Sequence, residues 1–156
     1  IVFVPIGHEG CSQKSPAEAD RIAKLFANLM QQEFIDRDEC KRTIGLDDIL
    51  VVAPYNMQVN LLKQVLPVGA RVGTVDKFQG QEAPVVIVSM ATSSGEDLPR
   101  DIGFLFSKNR LNVAISRAQC LAVVVASPKL TAVKCATVEQ MALVNLVCRV
   151  AEEYSA

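Results

Sequence analysis

The chain has 156 residues, half of them apolar, with 16 basic and 17 acidic side chains, enough for one domain with a real core or one lobe of a larger machine. A net charge of −1 excludes a basic nucleic-acid arm, so any nucleic-acid surface must be local. No apolar run reaches the roughly 18 to 20 residues of a membrane helix, and no signal-peptide pattern opens the chain.

Ile1 to Val4 read as a strand already under way, which suggests a piece cut from a longer protein. Ser15-Pro16-Ala17-Glu18 supplies an N-cap, a proline at the first helical position and a capping glutamate. Ile22, Leu25, Phe26, Leu29, Met30 and Phe34 follow at helical spacing. Ile49 to Pro54 is an all-apolar run of the kind buried on both faces of a parallel sheet. Asn56 to Leu66 read as a helix stopped by Pro67, and Arg71 to Val75 and Pro84 to Met90 as strands. Between those two strands lies a polar knot, Asp76 to Glu82. A long segment, Ala91 to Lys108, carries Gly95, Pro99 and Gly103; loops of that length are usually functional. Asn109 to Ala118 read as a helix, and Leu121 to Ala126 as another buried strand. Thr137 to Gln140 form a second capping box, opening a final helix to about Glu153. No repeat and no low-complexity tract interrupts this single unit, residues 1–156.

Strands alternating with helices argue for an α/β fold, a parallel sheet covered on both faces. Ligands bind such sheets at the carboxyl ends of the strands. Three polar segments are expected there: Ala53 to Gln58, Asp76 to Glu82, and Ser93 to Asp101. The five cysteines, Cys11, Cys40, Cys120, Cys135 and Cys148, include no C-x-x-C pair. They indicate neither zinc nor a disulfide framework, and fit a reducing cytosol. His8, the lone histidine, reads as a hydrogen-bonded structural residue near a strand end.

The helix Asn109 to Ala118 places Leu111, Ala114, Ile115 and Ala118 on one face, and Arg110 and Arg117 together on the other. They are either solvated arginines or a rigid mount for a guanidinium aimed at a phosphate. In the polar knot, Gly80 permits a sharp turn and close backbone approach. Glu82 has acceptors for ribose hydroxyls, and Gln79 is a neutral group able to orient water or phosphate. A turn of solvated residues is the alternative. Lys77 either contacts phosphate or is solvated. No G-x-x-x-x-G-K-[ST] phosphate cradle occurs, and no apolar strand ends in an Asp-Glu pair for magnesium, so no metal site is expected on this chain.

These residues resemble the second RecA-like domain of superfamily 1 helicases, in the branch of the nonsense-mediated-decay RNA helicase and DNA-replication helicase-nucleases. Val51 to Gln58 look like motif IV. Val72 to Ser89 look like motif V, with Asp76, Phe78, Gln79, Gly80 and Glu82 intact. Ile102 to Ala118 look like the run into motif VI. The wording is most similar to bacterial proteins that fuse a RecB-like nuclease to such a helicase. The resemblance implies a three-layer α/β/α P-loop-NTPase-type fold without its own P-loop. It implies an ATP site in the cleft with an N-terminal RecA-like lobe, which would hold most of the ATP and Mg2+. Arg117 matches the arginine finger, with Gln79 linking the nucleotide to the strand channel. Gly80 and Glu82 face the nucleotide, and Arg110 is assigned to ATP. Tyr55, Asn56, Thr74, Val75 and Asp76 match positions on single-stranded nucleic acid, DNA by analogy with the nuclease-fused relatives, and Lys77 beside them is the candidate phosphate contact. A RecA-like lobe that has lost catalysis and serves as a binding module is the rival reading.

Overall fold

The computed structural model describes residues 1–36, 38–97, 102–105 and 108–154; the side chains of 102, 104 and 108–110 lie outside that description. β1 (Val2–Pro5) leads to α1 (Pro16–Leu29), then to a hairpin of β2 (Glu33–Ile35) and β3 (Lys41–Thr43). β4 (Ile49–Val52), α2 (Asn56–Val65), β5 (Arg71–Gly73) and β6 (Ala83–Ser89) follow. α3 (Ile102–Leu105), α4 (Lys108–Ser116), β7 (Ala118–Ala126) and α5 (Val138–Glu153) complete the order.

The main sheet runs β1-β7-β6-β4-β5, and every pairing in it is parallel. β4, most of β6 and the second half of β7 are apolar and buried because they face helices on both sides. Ile49, Val51, Val85, Ile87, Val123 and Val125 pack with Ile22, Phe26, Val59 and Leu62 of α1 and α2. The alternate residues Leu50, Val52, Val86, Val88 and Val124 pack with Leu111 and Ala114 of α4 and Val144 and Val147 of α5. The result is the expected three-layer α/β/α architecture of RecA-like type. No helix among the described residues is long and apolar enough to cross a membrane.

Local chemistry explains most boundaries. Ser15 Oγ accepts from the Glu18 N–H (3.2 Å) and caps α1. Thr137 Oγ1 caps α5 in the same way through the Gln140 N–H (3.2 Å). Neither expected box closes on its cap, however: Gln140 Oε1 takes the Ala136 N–H, and Glu18 turns inward.

The Glu18 side chain is fully buried. Its Oε1 lies 2.9 Å from His8 Nε2. Its Oε2 accepts from Ser89 Oγ (2.6 Å) and from the Ala91 N–H (2.9 Å). Ser89 Oγ in turn accepts from Gln58 Nε2 (2.9 Å), whose Oε1 takes the Ser15 N–H (2.8 Å). His8 Nδ1 lies 2.7 Å from Ser93 Oγ, which also accepts from the Cys11 N–H (2.9 Å). One carboxylate thus ties the loop after β1, the first turn of α1, the start of α2 and the end of β6. His8 is the structural residue the sequence suggested.

Several expected boundaries move. The periodic run of α1 stops at Leu29, and Phe34 sits in β2, not on the helix. The hairpin itself was not anticipated. Arg42 holds it to the main sheet with a two-pronged bond to Asp48 (2.6 and 2.7 Å), just ahead of β4, and stacks on Phe34 at 4.4 Å. These hydrogen bonds hold the Asp48 carboxyl below the usual carboxylate range. β5 ends at Gly73, and Val75 belongs to a 3-10 turn, Val75–Phe78. Ala118 opens β7 and is not in a helix.

Replacing Glu18 by alanine orphans a histidine, a hydroxyl and a backbone N–H inside the protein. Urea unfolding followed by far-UV circular dichroism should show a loss of about 3 to 5 kcal/mol, as when one member of a buried pair is removed. Glu18→Gln, which keeps the shape and one acceptor oxygen, should lose less.

Candidate functional site

β5 and β6 lie on opposite sides of β4 and run in the same direction. The chain must therefore return from the carboxyl end of one to the amino end of the other. Gly73 pairs with Val52, which pairs with Val88. Glu82 lies six positions before Val88 along β6, roughly 20 Å at the rise of a strand. The polar knot Asp76 to Glu82 is thus no tight turn but a crossover along the length of the sheet. Phe78 anchors it, buried against Leu50, Val86 and Val88, while Asp76, Lys77, Gln79, Gly80, Gln81 and Glu82 stay exposed.

Two glycines serve this crossover differently. A Cβ on Gly73 would lie 2.6 Å from Lys77 Cδ and 3.2 Å from the Phe78 ring, so the crossover packs directly on its backbone. Gly80 has φ +78°, and a Cβ there would meet nothing within 4 Å. Its glycine serves backbone conformation and leaves open space above it.

The candidate residues separate onto two edges of the sheet. Asn56, Thr74, Val75, Asp76 and Lys77 gather at the carboxyl ends of β4 and β5. The Ala53 N–H donates to the Gly73 carbonyl (3.1 Å) and locks these two strand ends together. Asn56 is exposed at the start of α2, whereas Tyr55 is 5% exposed and packs in the core. Lys77 folds back so that Nζ donates to the Val72 carbonyl (3.2 Å).

Glu82 and Arg117 lie at the other edge, at the amino ends of β6 and β7. The segment Asp76 to Glu82, expected at the carboxyl ends of the strands, thus has only its start there; its end lies at the amino ends. The Ala83 N–H donates to the Arg117 carbonyl (3.0 Å), and Ala83 pairs with Ala118. Glu82 and Arg117, 35 positions apart in the sequence, are brought to neighbouring strand starts. Arg117 is not on the helix face expected for it: α4 ends at Ser116, and Arg117 occupies the turn into β7. Its orientation follows from strand pairing. The Arg117 Nε is buried and has no hydrogen-bond partner among the described residues. The Arg110 side chain lies outside the described residues, so its place relative to Arg117 is not part of this geometry.

One residue of the site escaped the sequence pattern. Gln119 Nε2 donates to Glu82 Oε2 (3.2 Å). The register between β6 and β7 shifts between Ala83 and Val85, which pair with Ala118 and Leu121. Pro84 stands at the break; it has no N–H to give the ladder, and β7 accommodates the gap with one extra residue, a bulge. A cleft of about 390 Å³ opens beside it, lined by Pro84, Gln119, Cys120 and the hairpin residues Phe34, Asp36 and Arg42, among others. Pro84, two residues after Glu82, is the available signal for a broken ladder.

Comparison with known proteins matches residues 7–129 to a family model described as an AAA domain. The probable RNA helicase armi of Drosophila melanogaster is 35% identical over 101 residues, covering 60% of this chain and 8% of the relative. The putative helicase MOV-10 of Gallus gallus is 33% identical over 147 residues, 80% of this chain and 15% of the relative. The DNA polymerase alpha-associated DNA helicase A of Schizosaccharomyces pombe is 47% identical over 73 residues, 45% of this chain and 11% of the relative. The chain therefore spans a small part of the length of each.

A donor buried without an acceptor contributes nothing to the fold and costs about 1 to 3 kcal/mol. Arg117→Met, which keeps the stem and removes that donor, should leave stability in urea unchanged or raised. A loss above roughly 1 kcal/mol would assign Arg117 a structural role instead.

Proposed function

Because the chain belongs to the AAA-domain family and its relatives are named helicases, we propose that it is the second motor lobe of an ATP-dependent nucleic-acid helicase or translocase. The observation that carries this reading is the Arg117 Nε, buried and unpartnered beside the strand start that carries Glu82. A protein tolerates such a donor where a ligand supplies the acceptor, here a γ-phosphate held by a facing N-terminal RecA-like lobe. Arg117 is the arginine finger, stabilising charge that develops on the transferred phosphoryl group. Arg110 is proposed as a second cation toward the triphosphate. Glu82 accepts from the ribose hydroxyls, oriented by Gln119, and Gly80 lets the backbone approach the nucleotide. Magnesium, when bound, neutralises the phosphate oxygens. Among the described residues no three His, Cys, Asp or Glu side chains gather to hold a metal, so the facing lobe is assigned both the ion and the phosphate cradle.

At the opposite edge, Asn56, Thr74, Val75, Asp76 and Lys77 face a single strand. Tyr55 acts there through its backbone and its packing, since its ring is buried. Contacts to sugar and phosphate hold a strand of any sequence, as a motor requires. The crossover carrying Gln79 runs between the two edges and couples nucleotide state to strand grip. DNA as the strand, a RecB-like nuclease on the same polypeptide and a cytoplasmic location belong to the same proposal. They rest on the wording of motifs V and VI and on the unpaired cysteines.

The test uses the full-length parent protein and measures nucleic-acid-stimulated ATP hydrolysis. Arg117→Ala should lower the rate on the order of 10³-fold, as removal of other arginine fingers does. A near-normal rate would remove the finger and favour a catalytically silent binding module. The 156-residue chain by itself should turn over ATP negligibly. Robust hydrolysis by it would sink the two-lobe reading.

A further inference from the structure

The outer face of α2 has an unusual charge pattern. Its sequence, Asn-Met-Gln-Val-Asn-Leu-Leu-Lys-Gln-Val, contains no carboxylate and one lysine, in a chain whose acidic residues outnumber its basic ones. Gln58, Val59 and Leu62 turn inward. Asn56, Met57, Asn60, Lys63 and Gln64 face solvent. A shallow groove of about 210 Å³ runs along this stripe, lined by Lys14, Met57, Asn60, Leu61 and Gln64. No carboxylate lines it, and among the described residues neither Lys14 nor Lys63 is in a salt bridge.

These features suit one class of ligand. The helix amino end supplies a partial positive charge at Asn56, and Lys14 adds a full one beside the groove. Asn60 and Gln64 offer neutral donors and acceptors of the kind that bind phosphate oxygens, sugars and base edges alike. Met57, 51% exposed, offers an adaptable apolar surface against a base or sugar face. From Asn56 to Gln64 the stripe runs about 12 Å along the helix axis, continuous with the strand-facing edge at Asn56 and Thr74.

We propose that a single nucleic-acid strand, after crossing the carboxyl ends of β4 and β5, continues along this groove. Lys14, Asn60 and Gln64 hold its sugar-phosphate backbone, and Met57 lies against a base or sugar. The proposal rests on the reading that the carboxyl edge faces the strand, and it extends that footprint along α2 past motif IV to Lys14, Asn60 and Gln64, which lie outside motifs IV, V and VI.

Fluorescence anisotropy with labelled oligo-dT and oligo-U tests it, using lengths of about 4 and about 12 nucleotides to bracket a small and an extended footprint. The double variant Asn60→Glu/Gln64→Glu should bind the longer strands about tenfold or more weakly, leave the shorter ones nearly unchanged, and flatten the salt dependence. Asn60→Lys, which puts no carboxylate on the helix, should tighten binding of the longer strands. Unchanged affinity of both variants at both lengths would overturn the extension while leaving the carboxyl-edge reading intact. Equal weakening at both lengths would also overturn it, since that marks a general charge effect. Failure of the parent chain to bind either length would overturn both.

Discussion

The buried carboxylate of Glu18 is the constraint around which this sheet edge is built. A carboxylate taken out of water is expensive unless every lone pair is matched. Here it is met by an imidazole, a hydroxyl and a backbone N–H. The partners come from the loop after β1 and the end of β6, and Ser89 passes the link on to Gln58 of α2, so satisfying one side chain of α1 places four pieces of chain. Ala91 shows how firmly. It has φ +63°, a left-handed conformation that costs a non-glycine residue about 1 to 2 kcal/mol. The bond from its N–H to Glu18 offsets that strain and bends the chain away from β6 just where the long segment toward α4 begins.

With that edge braced, the crossover Thr74 to Glu82 can be polar and still well placed. It is fixed at three points: the packing of Lys77 and Phe78 over Gly73, the burial of the Phe78 ring, and the bond from the Ala83 N–H to the Arg117 carbonyl. Between these points Asp76, Gln79, Gln81 and Glu82 lie exposed on the surface. Rigid attachment with exposed chemistry is what a segment needs if it is to report the state of one edge of a sheet to the other. Binding residues on loops held by a rigid scaffold are a general arrangement; here the loop is as long as the scaffold is deep.

Much of this fold was legible in the sequence because its strands are buried on both faces. Ile49 to Val52 and Val85 to Val88 leave no doubt when read as apolar runs, and Ser15 and Thr137 announce their helices. Long-range partners were invisible. Glu18 has the right spacing for a capping box and was read as one, but its carboxylate is claimed by His8 and Ser89. The hairpin has charged, exposed residues in both strands, and its hold on the sheet is the Arg42–Asp48 fork. For the site, motif spacing singles out Glu82 and Arg117, which the fold brings to neighbouring strand starts, but helix periodicity assigns Arg117 to the wrong element. The pairing that captures it, Ala83 with Ala118, is a contact between residues 35 positions apart, which no local window contains. Gln119 was missed for the same reason.

Pro84 finally carries more weight than one missing N–H suggests. Side chains on a strand alternate between faces, so a single inserted residue reverses the phase of everything beyond it. The extra residue that β7 takes opposite Pro84 divides the strand into two halves of opposite phase. The half from Leu121 onward keeps step with the core. The half from Ala118 to Cys120 is set by the bulge, and that phase brings Gln119 to Glu82. One imino acid therefore acts as a clutch between packing and chemistry: the strand's interior can evolve for fit while its first residues keep their own orientation.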